Sequence, residues 1–369
     1  MTTFDLTNKC DLNCIHCIRI NDRSRDLDVE NWKNILKAFY PQETKIVLAG
    51  GEPLLYQGIE ELLAMVRSKY PKDQKLFKQL TKGFDTPSAL FEAVENNKLV
   101  VTTNGTALSD RKISMLEHYG VTAWLSLDGV TPKVFENVRR GASFSKIEKN
   151  LGLAINRIPV HINFVIMEQT LEDVIPAIEF VERLGINLIR FTPVREISRA
   201  KTNGIKIFHE KFVALLEKAL TMQRSTPTNT LVLFNLLQTQ KVFLMHQGRY
   251  DDISEQFGQH PNMFLEEKKC QQLKDPGRGV VNPKGHYTGC CNASSLPYFD
   301  MGNLLKTPLA TAIGHQPVLD IFEKTPELCA NCDFLSVCKG GCRLMSYERY
   351  GNPLVMDPTC PFLDERLQS

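Results

Sequence analysis

The 369-residue sequence has no run of 18 or more apolar residues, so no membrane-spanning helix can be built from it. It has no secretory start either, because Asp5, Lys9 and Asp11 interrupt any apolar stretch at once. It lacks an excess of charge of either sign. With 44 Lys and Arg against 42 Asp and Glu the net charge is +2, which gives a nucleic-acid partner nothing to hold. Internal repeats and low-complexity tracts are absent. Cysteine is missing from 252 consecutive residues, between Cys17 and Cys270.

What is present is ordinary in bulk and unusual in placement. A hydrophobic fraction of 43% and a charged fraction of 23% fit a globular protein, long enough for one large domain and a smaller one. Without a signal or a membrane span, a cytoplasmic location is expected, where thiols stay reduced. The eleven cysteines then need a reason other than disulfides. Three lie at 10, 14 and 17, and eight between 270 and 360. Metal or cluster ligation at two separate places is the expected reading.

Residues 1–195 alternate short apolar runs with amphipathic stretches. Strands are predicted at Thr3–Leu6, Lys45–Ala49, Leu99–Thr103, Thr122–Ser126, Val160–Ile166 and Leu188–Thr192. Asp28 is placed to cap a helix burying Val29, Trp32, Leu36 and Phe39. Thr170 and Asp173 are placed to start another, which packs Val174, Ile178 and Val181 and stops at Gly185. Six βα units in a row imply parallel strands with right-handed crossovers, in a barrel or an open sheet. Residues 71–97 are long for one connection and are expected to hold an extra helix. Residues 196–262 read as a mostly helical bridge. From 263 onward Gly, Pro, Asn and Cys become frequent, and such a segment needs cross-links to fold.

Cys10, Cys14 and Cys17 form C-x3-C-x2-C just after the first strand. Three thiolates on one loop can hold three irons of a cubane 4Fe–4S cluster and leave the fourth open. A zinc knuckle short of one ligand, or a set of buried thiols, fits the same spacing. In register behind the triad come Gly50-Gly51-Glu52-Pro53, Thr103-Asn104-Gly105, Ser126-x-Asp128-Gly129 and Arg139-Arg140-Gly141. Turn chemistry explains Asn104-Gly105 and Asp128-Gly129 equally well, and solvent the arginines.

Taken together, residues 1–195 resemble the radical S-adenosylmethionine (SAM) superfamily. The resemblance implies an α/β fold, a partial (β/α)6 TIM-like barrel. It implies an open iron that chelates the amino and carboxylate groups of SAM and cleaves it to a 5′-deoxyadenosyl radical, which abstracts hydrogen from substrate. Gly50, Gly51 and Glu52 would meet the SAM amino group. Asn104 lies on the same side, Ser126 and Asp128 near the ribose, and Arg140 near the carboxylate. His16 occupies a position usually aromatic in the family, against the adenine, where packing is expected of it rather than acid–base work.

The C-terminal set is more specific. Cys270 and Cys290 are followed by Cys329, Cys332, Cys338 and Cys342, spaced C-x2-C-x5-C-x3-C, with Cys360 closing the set. Gly285, Gly302-Asn303-Leu304, Gly340-Gly341 and Tyr350-Gly351-Asn352 accompany them. This resembles the SPASM domain, the Cys-rich, loop-rich auxiliary-cluster domain of many radical SAM enzymes; C-x2-C spacing alone also permits a zinc ribbon. The resemblance implies two auxiliary iron–sulfur clusters, of the 4Fe–4S type. One would use Cys270, Cys290 and Cys342, the other Cys329, Cys332, Cys338 and Cys360. Three regions follow: 1–195 as radical SAM core, 196–262 as bridge, 263–369 as SPASM domain. Cys291 is the one cysteine without an assigned role: fourth ligand of the first auxiliary cluster, hydrogen donor or packing. Neighbours on an extended segment point opposite ways, so Cys291 is expected not to ligate, and a hydrogen-donor role is open to it.

SPASM enzymes act mostly on ribosomally made peptides and proteins, which makes maturation of a peptide the first expectation. A radical dehydrogenase or epimerase acting on a small molecule such as a sugar is the second, and a non-enzymatic iron–sulfur electron carrier a remote third. A reductant such as flavodoxin or ferredoxin is implied. Only nine residues precede Cys10, so a separate leader-peptide-binding protein is expected if a leader is read. The sulfatase-maturating subfamily carries an Asp after the cysteine matching Cys290. Here Cys291 and Asn292 follow, which argues against it.

Overall fold

The computed structural model describes residues 1–19, 26–82, 84, 86–225, 229–267 and 278–364. Its centre is a ten-stranded sheet in the order β10-β9-β1-β2-β3-β4-β5-β6-β7-β8. Strands β1 (Thr2–Thr7), β2 (Ile46–Gly50), β3 (Leu99–Thr103), β4 (Thr122–Ser126), β5 (Val160–Ile166) and β6 (Leu188–Pro193) are the six expected ones, each within a residue or so of its predicted bounds. They pair in parallel, neighbour with neighbour.

The helices between them follow from local chemistry. In α1 (Val29–Phe39), Asp28 accepts from the Asn31 N–H at 2.8 Å, and Trp32, Ile35, Leu36 and Phe39 are buried at helical spacing. After α2 (Ile59–Lys69) the connection 71–97 holds two helices rather than one, α3 (Gln74–Lys82) and α4 (Pro87–Asn96). Next come α5 (Asp110–His118), α6 (Pro132–Val138) and α7 (Phe144–Ala154). Thr170 does not open α8 (Val174–Arg183). It sits in a 3-10 turn, Glu168–Asp173, and its hydroxyl donates to the Val165 carbonyl. Val174, Ile178 and Val181 are buried as expected, and Gly185 follows the helix with φ +68°.

Residues 196–262 need correction. They contain the helices α9 (Ser198–Thr202), α10 (His209–Ser225), α11 (Gln238–His246) and α12 (Tyr250–Gly258), but also strand β7 (Leu231–Leu236), which pairs in parallel with β6. Strand β8 (Met263–Glu267) extends the sheet once more. At the other edge β9 (Gly279–Val281) runs parallel to β1, and β10 (Tyr287–Thr288) antiparallel to β9. Among the described residues β8 and β10 are edges, so the barrel is partial. The C-terminal segment continues through α13 (Leu309–Ile313), α14 (Gln316–Glu323), α15 (Leu335–Cys338) and α16 (Arg343–Tyr350).

Alternation divides each strand between two faces. Phe4, Leu48, Val101, Leu125, Phe164, Phe191 and Phe234 share one continuous core with the surrounding helices. The alternate residues, among them Thr102, Ser126, Asn163, Arg190, Thr192 and Asn235, face the other way. That second face is closed at the strand N-termini by α3 and α4. Leu80, Leu90 and Val94 pack on Leu188, Leu231 and Leu233, and Lys45 Nζ donates to the Val94 carbonyl at 2.6 Å.

Candidate active site

The C-terminal ends of parallel strands are where an α/β sheet presents its loops to a ligand. Cys10, Cys14 and Cys17 follow β1, Gly50–Glu52 end β2, Asn104 follows β3, and Ser126 and Asp128 close β4. The segment after β1 and the turn after β2 are in backbone contact: Gly51 N donates to Thr7 O at 2.7 Å and Glu52 N to Lys9 O at 2.8 Å. A Cβ at Gly51 would stand 2.3 Å from the Lys9 carbonyl oxygen, so only glycine allows this approach.

The cysteine loop is fixed from both sides. Asn13 N donates to Arg140 O at 2.8 Å, Ile15 N to Val138 O at 3.0 Å, and Asn203 Nδ2 to Ile15 O at 2.8 Å. Asp11 accepts from Asn104 Nδ2 at 2.9 Å and from the Thr106 hydroxyl. Each sulfur is an acceptor. Cys10 Sγ takes Leu12 N–H at 3.5 Å and Asn104 Nδ2 at 3.7 Å, Cys17 Sγ takes Arg19 N–H at 3.4 Å, and Cys14 Sγ takes Arg139 Nη1 at 3.9 Å. Burial pushes the Cys14 thiol up to about 11, against the pull of Arg139.

Under the loop lies a buried charge group. Asp128 is fully buried. Its Oδ2 is 2.6 Å from Arg139 Nη2 and 3.1 Å from His16 Nε2, and its Oδ1 accepts from Val165 N at 2.7 Å. Burial alone would raise this carboxyl, but Arg139 and His16 override it and hold it at about 2. The sequence reading placed Asp128 on the ribose and Arg140 on the SAM carboxylate. Here both Asp128 oxygens have protein partners, the Arg140 side chain is exposed with only its carbonyl on the cysteine loop, and Arg139 is the buried arginine. Ser126 is half-buried on the second sheet face, opposite Asn163.

Glu52 is also fully buried. It accepts from the Thr103 hydroxyl at 2.9 Å, Asn104 N at 2.8 Å and Leu54 N at 3.1 Å, so it braces the ends of β2 and β3. Burial pushes its carboxyl up to about 7, against those hydrogen bonds. The ordinary value is 4.5, so the neutral carboxyl's contribution to stability is complete below that pH and is lost as pH rises through about 7. Glu52→Gln removes this dependence. Relative to that variant, the parent is expected to lose about 3 kcal/mol of stability between pH 4.5 and pH 8, read by urea unfolding. An unchanging difference would show a carboxylate ionised throughout.

The C-terminal thiols fall into two neighbourhoods. Cys290 and Cys342 pack on one apolar group with Ala293, Leu296, Phe299, Leu344 and Met345. Cys338 and Cys360 pack on another with Val242 and Phe362, and Cys360 interacts electrostatically with Cys338 and Cys329, as Cys338 does with Cys332. Burial pushes the Cys360 thiol up to about 12. Cys291 is exposed while Cys290 is half-buried. Cys270 lies outside the described residues. Asp357, which sequence reasoning passed over, is buried and accepts from Cys342 N at 2.6 Å and Thr359 N at 2.8 Å.

The donor set can be tested against the groups that the sequence resemblance implies. Three sulfurs at the N-terminal loop all accept N–H bonds, which is how protein surrounds cluster thiolates. Beside them His16 Nδ1 and Arg139 Nε are buried without a hydrogen-bond partner. The residues present therefore fit a cluster held by three thiolates with a ligand next to it. Among the described residues no three His, Cys, Asp or Glu side chains close on a single ion.

Comparison with known proteins agrees. Residues 4–181 match the Radical SAM superfamily. The chain is 20% identical over 367 residues to the PqqA peptide cyclase of Ruegeria pomeroyi, covering 96% of this chain and 85% of that one. It is 21% identical to the Fe-coproporphyrin III synthase of Methanosarcina barkeri, over 100% and 89% of the two chains. SuiB of Streptococcus suis, bound to its precursor peptide SuiA, superposes with a TM-score of 0.71 at 16% identity, over 98% of this chain and 75% of that one. The structure of anSMEcpe with AdoMet and Cp18Cys peptide gives 0.65 at 16% identity, over 100% and 95%. At these identities the two superpositions show a shared fold. No helix of the described residues is long and apolar enough to cross a membrane.

Proposed function

Residues 4–181 carry a radical SAM domain, and from that premise we propose that the chain is a radical SAM enzyme of the SPASM kind that matures a ribosomally made peptide or protein side chain. The observation that carries the peptide is the similarity, along nearly the whole chain, both to a peptide cyclase and to an enzyme bound to its precursor peptide. The similarity to Fe-coproporphyrin III synthase favours the second reading, a dehydrogenase or epimerase of a small molecule.

In this reading Cys10, Cys14 and Cys17 hold a 4Fe–4S cluster with an open iron. That cluster and SAM, when bound, supply the 5′-deoxyadenosyl radical. The chain's own residues hold the geometry. The Gly50–Gly51 turn admits the SAM amino group, Ser126 faces the ribose, and His16 lies along the adenine with Asp128 orienting its ring. The Asp128–Arg139 pair sets positive charge beside the Cys14 thiolate. Two auxiliary clusters divide as Cys270, Cys290 and Cys342, and as Cys329, Cys332, Cys338 and Cys360. The separation of the described thiols into two apolar neighbourhoods supports this partition. Residues 1–195 form the core, 196–262 carry the sheet onward, and 263–369 form the auxiliary domain. A flavodoxin or ferredoxin serves as reductant, a separate leader-binding protein delivers the peptide, and the enzyme works in the cytoplasm.

The test is anaerobic reconstitution followed by reduction with SAM. Formation of 5′-deoxyadenosine and methionine is expected, and its absence rejects the enzyme class. Cys291→Ala is expected to retain all the iron, because the partition above takes no thiolate from Cys291; Cys290 and Cys291 lie in a turn, with Ala293 N donating to Cys290 O at 2.9 Å, and not on the extended segment expected from the sequence. Loss of about one third of the iron would make it a ligand instead. Solvent deuterium entering product in the parent and not in Cys291→Ala would select the epimerase over the peptide maturase.

A further inference from the structure

A cavity of about 530 Å³, with no cysteine among the described residues of its wall, lies between the auxiliary hairpin and the segment leaving β1. His286, Asp300, Asn282, Thr288 and Ser294 line it, and Asn8 closes it from β1. Most of its polar groups already have partners. Asn282 Oδ1 accepts from Lys284 N at 2.9 Å and His286 N at 3.1 Å, and Thr288 Oγ1 donates to Cys290 O at 3.1 Å. Asp300 Oδ1 accepts from Gly302 N at 2.9 Å, and its Oδ2 lies 2.6 Å from His286 Nδ1. A carboxylate held in this way accepts the ring hydrogen, so Nδ1 carries it and Nε2 presents a lone pair.

The cavity is tied to the SAM side of the molecule. Ser294, buried in its wall, donates to Asp5 Oδ2 at 2.6 Å; Asp5 pairs with Arg19, and Arg19 Nε donates to the Gly50 carbonyl at 3.2 Å. The Asn8 carbonyl oxygen lies 2.9 Å from where a Cβ on Gly51 would be.

We propose that this cavity is a substrate subsite with its own base, in which His286 Nε2 accepts a hydrogen bond, and then the proton, from an O–H or N–H group of a peptide side chain. Asp300 is the positioning residue. This rests on the peptide reading above. Oxidising a side chain by two electrons removes a hydrogen atom, an electron and a proton. The hydrogen atom goes to the 5′-deoxyadenosyl carbon and the electron to a one-electron acceptor of the iron–sulfur class. The proton goes to His286, where Asp300 stabilises the imidazolium. At 36% and 31% exposure the pair can pass it on to water. Among the described residues Lys284 is the other charged group in the wall.

The experiment is calorimetric binding of capped Gly-Gly-X-Gly-Gly peptides to the reconstituted full chain with SAM, X being Ser, Thr, Tyr or Lys, with Leu as control. At least one donor peptide binds about tenfold more tightly than the Leu peptide. His286→Leu abolishes the preference, because it removes the Nε2 acceptor. Asp300→Asn weakens binding and Asp300→Glu restores part of it, each with iron content as the check on folding. Donor peptides that bind the parent no better than Leu, or a preference that survives His286→Leu, overturn the proposal. SAM cleavage by the parent without peptide is measured alongside. Its failure rejects the enzyme class, whereas a failed His286 result with cleavage intact rejects only the subsite.

Discussion

Replacing Cys10, Cys14 and Cys17 together by Ala is expected, on the three-cluster reading proposed above, to lower the iron of the reconstituted protein from about 12 atoms to about 8 and to abolish reductive cleavage of SAM. The size of the effect follows from how the ligands are distributed. The three thiols share one loop, and each takes its hydrogen bonds from that loop or from Asn104 and Arg139. The described auxiliary thiols pack against separate apolar groups of the C-terminal segment. The N-terminal iron is therefore lost alone. Iron analysis and assay of 5′-deoxyadenosine check it. An iron content unchanged by the triple substitution would mean that this loop holds no cluster, and zinc in the C-terminal sites would remove the electron-transfer role given to them.

Arg139→Leu is expected to destabilise the protein by about 3–5 kcal/mol at neutral pH, because it takes the guanidinium from a fully buried carboxylate and leaves it His16 and the Val165 N–H. Asp128→Asn with Arg139 retained has a similar cost, since the arginine is then the stranded charge. The double variant recovers part of the loss, as removing both members of a buried pair costs less than removing one. Urea unfolding under anaerobic conditions measures all three. A cost under about 1 kcal/mol for Arg139→Leu would place the pair in the class of exposed ion pairs. Arg140→Leu, whose side chain is exposed, is expected to be near neutral.

The burial of Arg139 was legible in the sequence. Helix α6 buries Phe135 and Val138, and Arg139 stands four residues after Phe135 on the same face. Helical phase thus marks Arg139 as the buried arginine of the two, which the family motif, pointing to Arg140, does not address. The six βα strands were legible because each is a short apolar run bounded by turn residues. Strand β7 was not, because Leu231–Leu236 is rich in leucine and has a single β-branched residue between two helical stretches. What makes it a strand is the edge of β6, a tertiary cause that local propensity does not carry. The cysteine spacing marked the two groups of thiols directly. The surroundings of Glu52 and Asp128 were harder to read, since a carboxylate at a loop has the same letters whether it faces a ligand or props up a turn. Their burial and their protein partners are set by chain segments distant in sequence.

The pairing of β9 with β1 has a consequence for how the chain is made. Thr2 to Phe4 lie beside Gly279 to Val281, so the first strand gains its second neighbour only after some 275 further residues have left the ribosome. At ordinary synthesis speeds that interval is on the order of 15–55 s. Throughout it one edge of β1 is open, and the cysteine loop hangs from a strand paired on a single side. Contacts so distant in sequence close late. The nascent chain thus exposes its first three thiols well before the eight later ones exist, and Ser294, which anchors Asp5 of that strand, arrives only after Val281. A domain assembled in this order stays structurally incomplete until the cysteine-rich segment that completes its sheet has been translated.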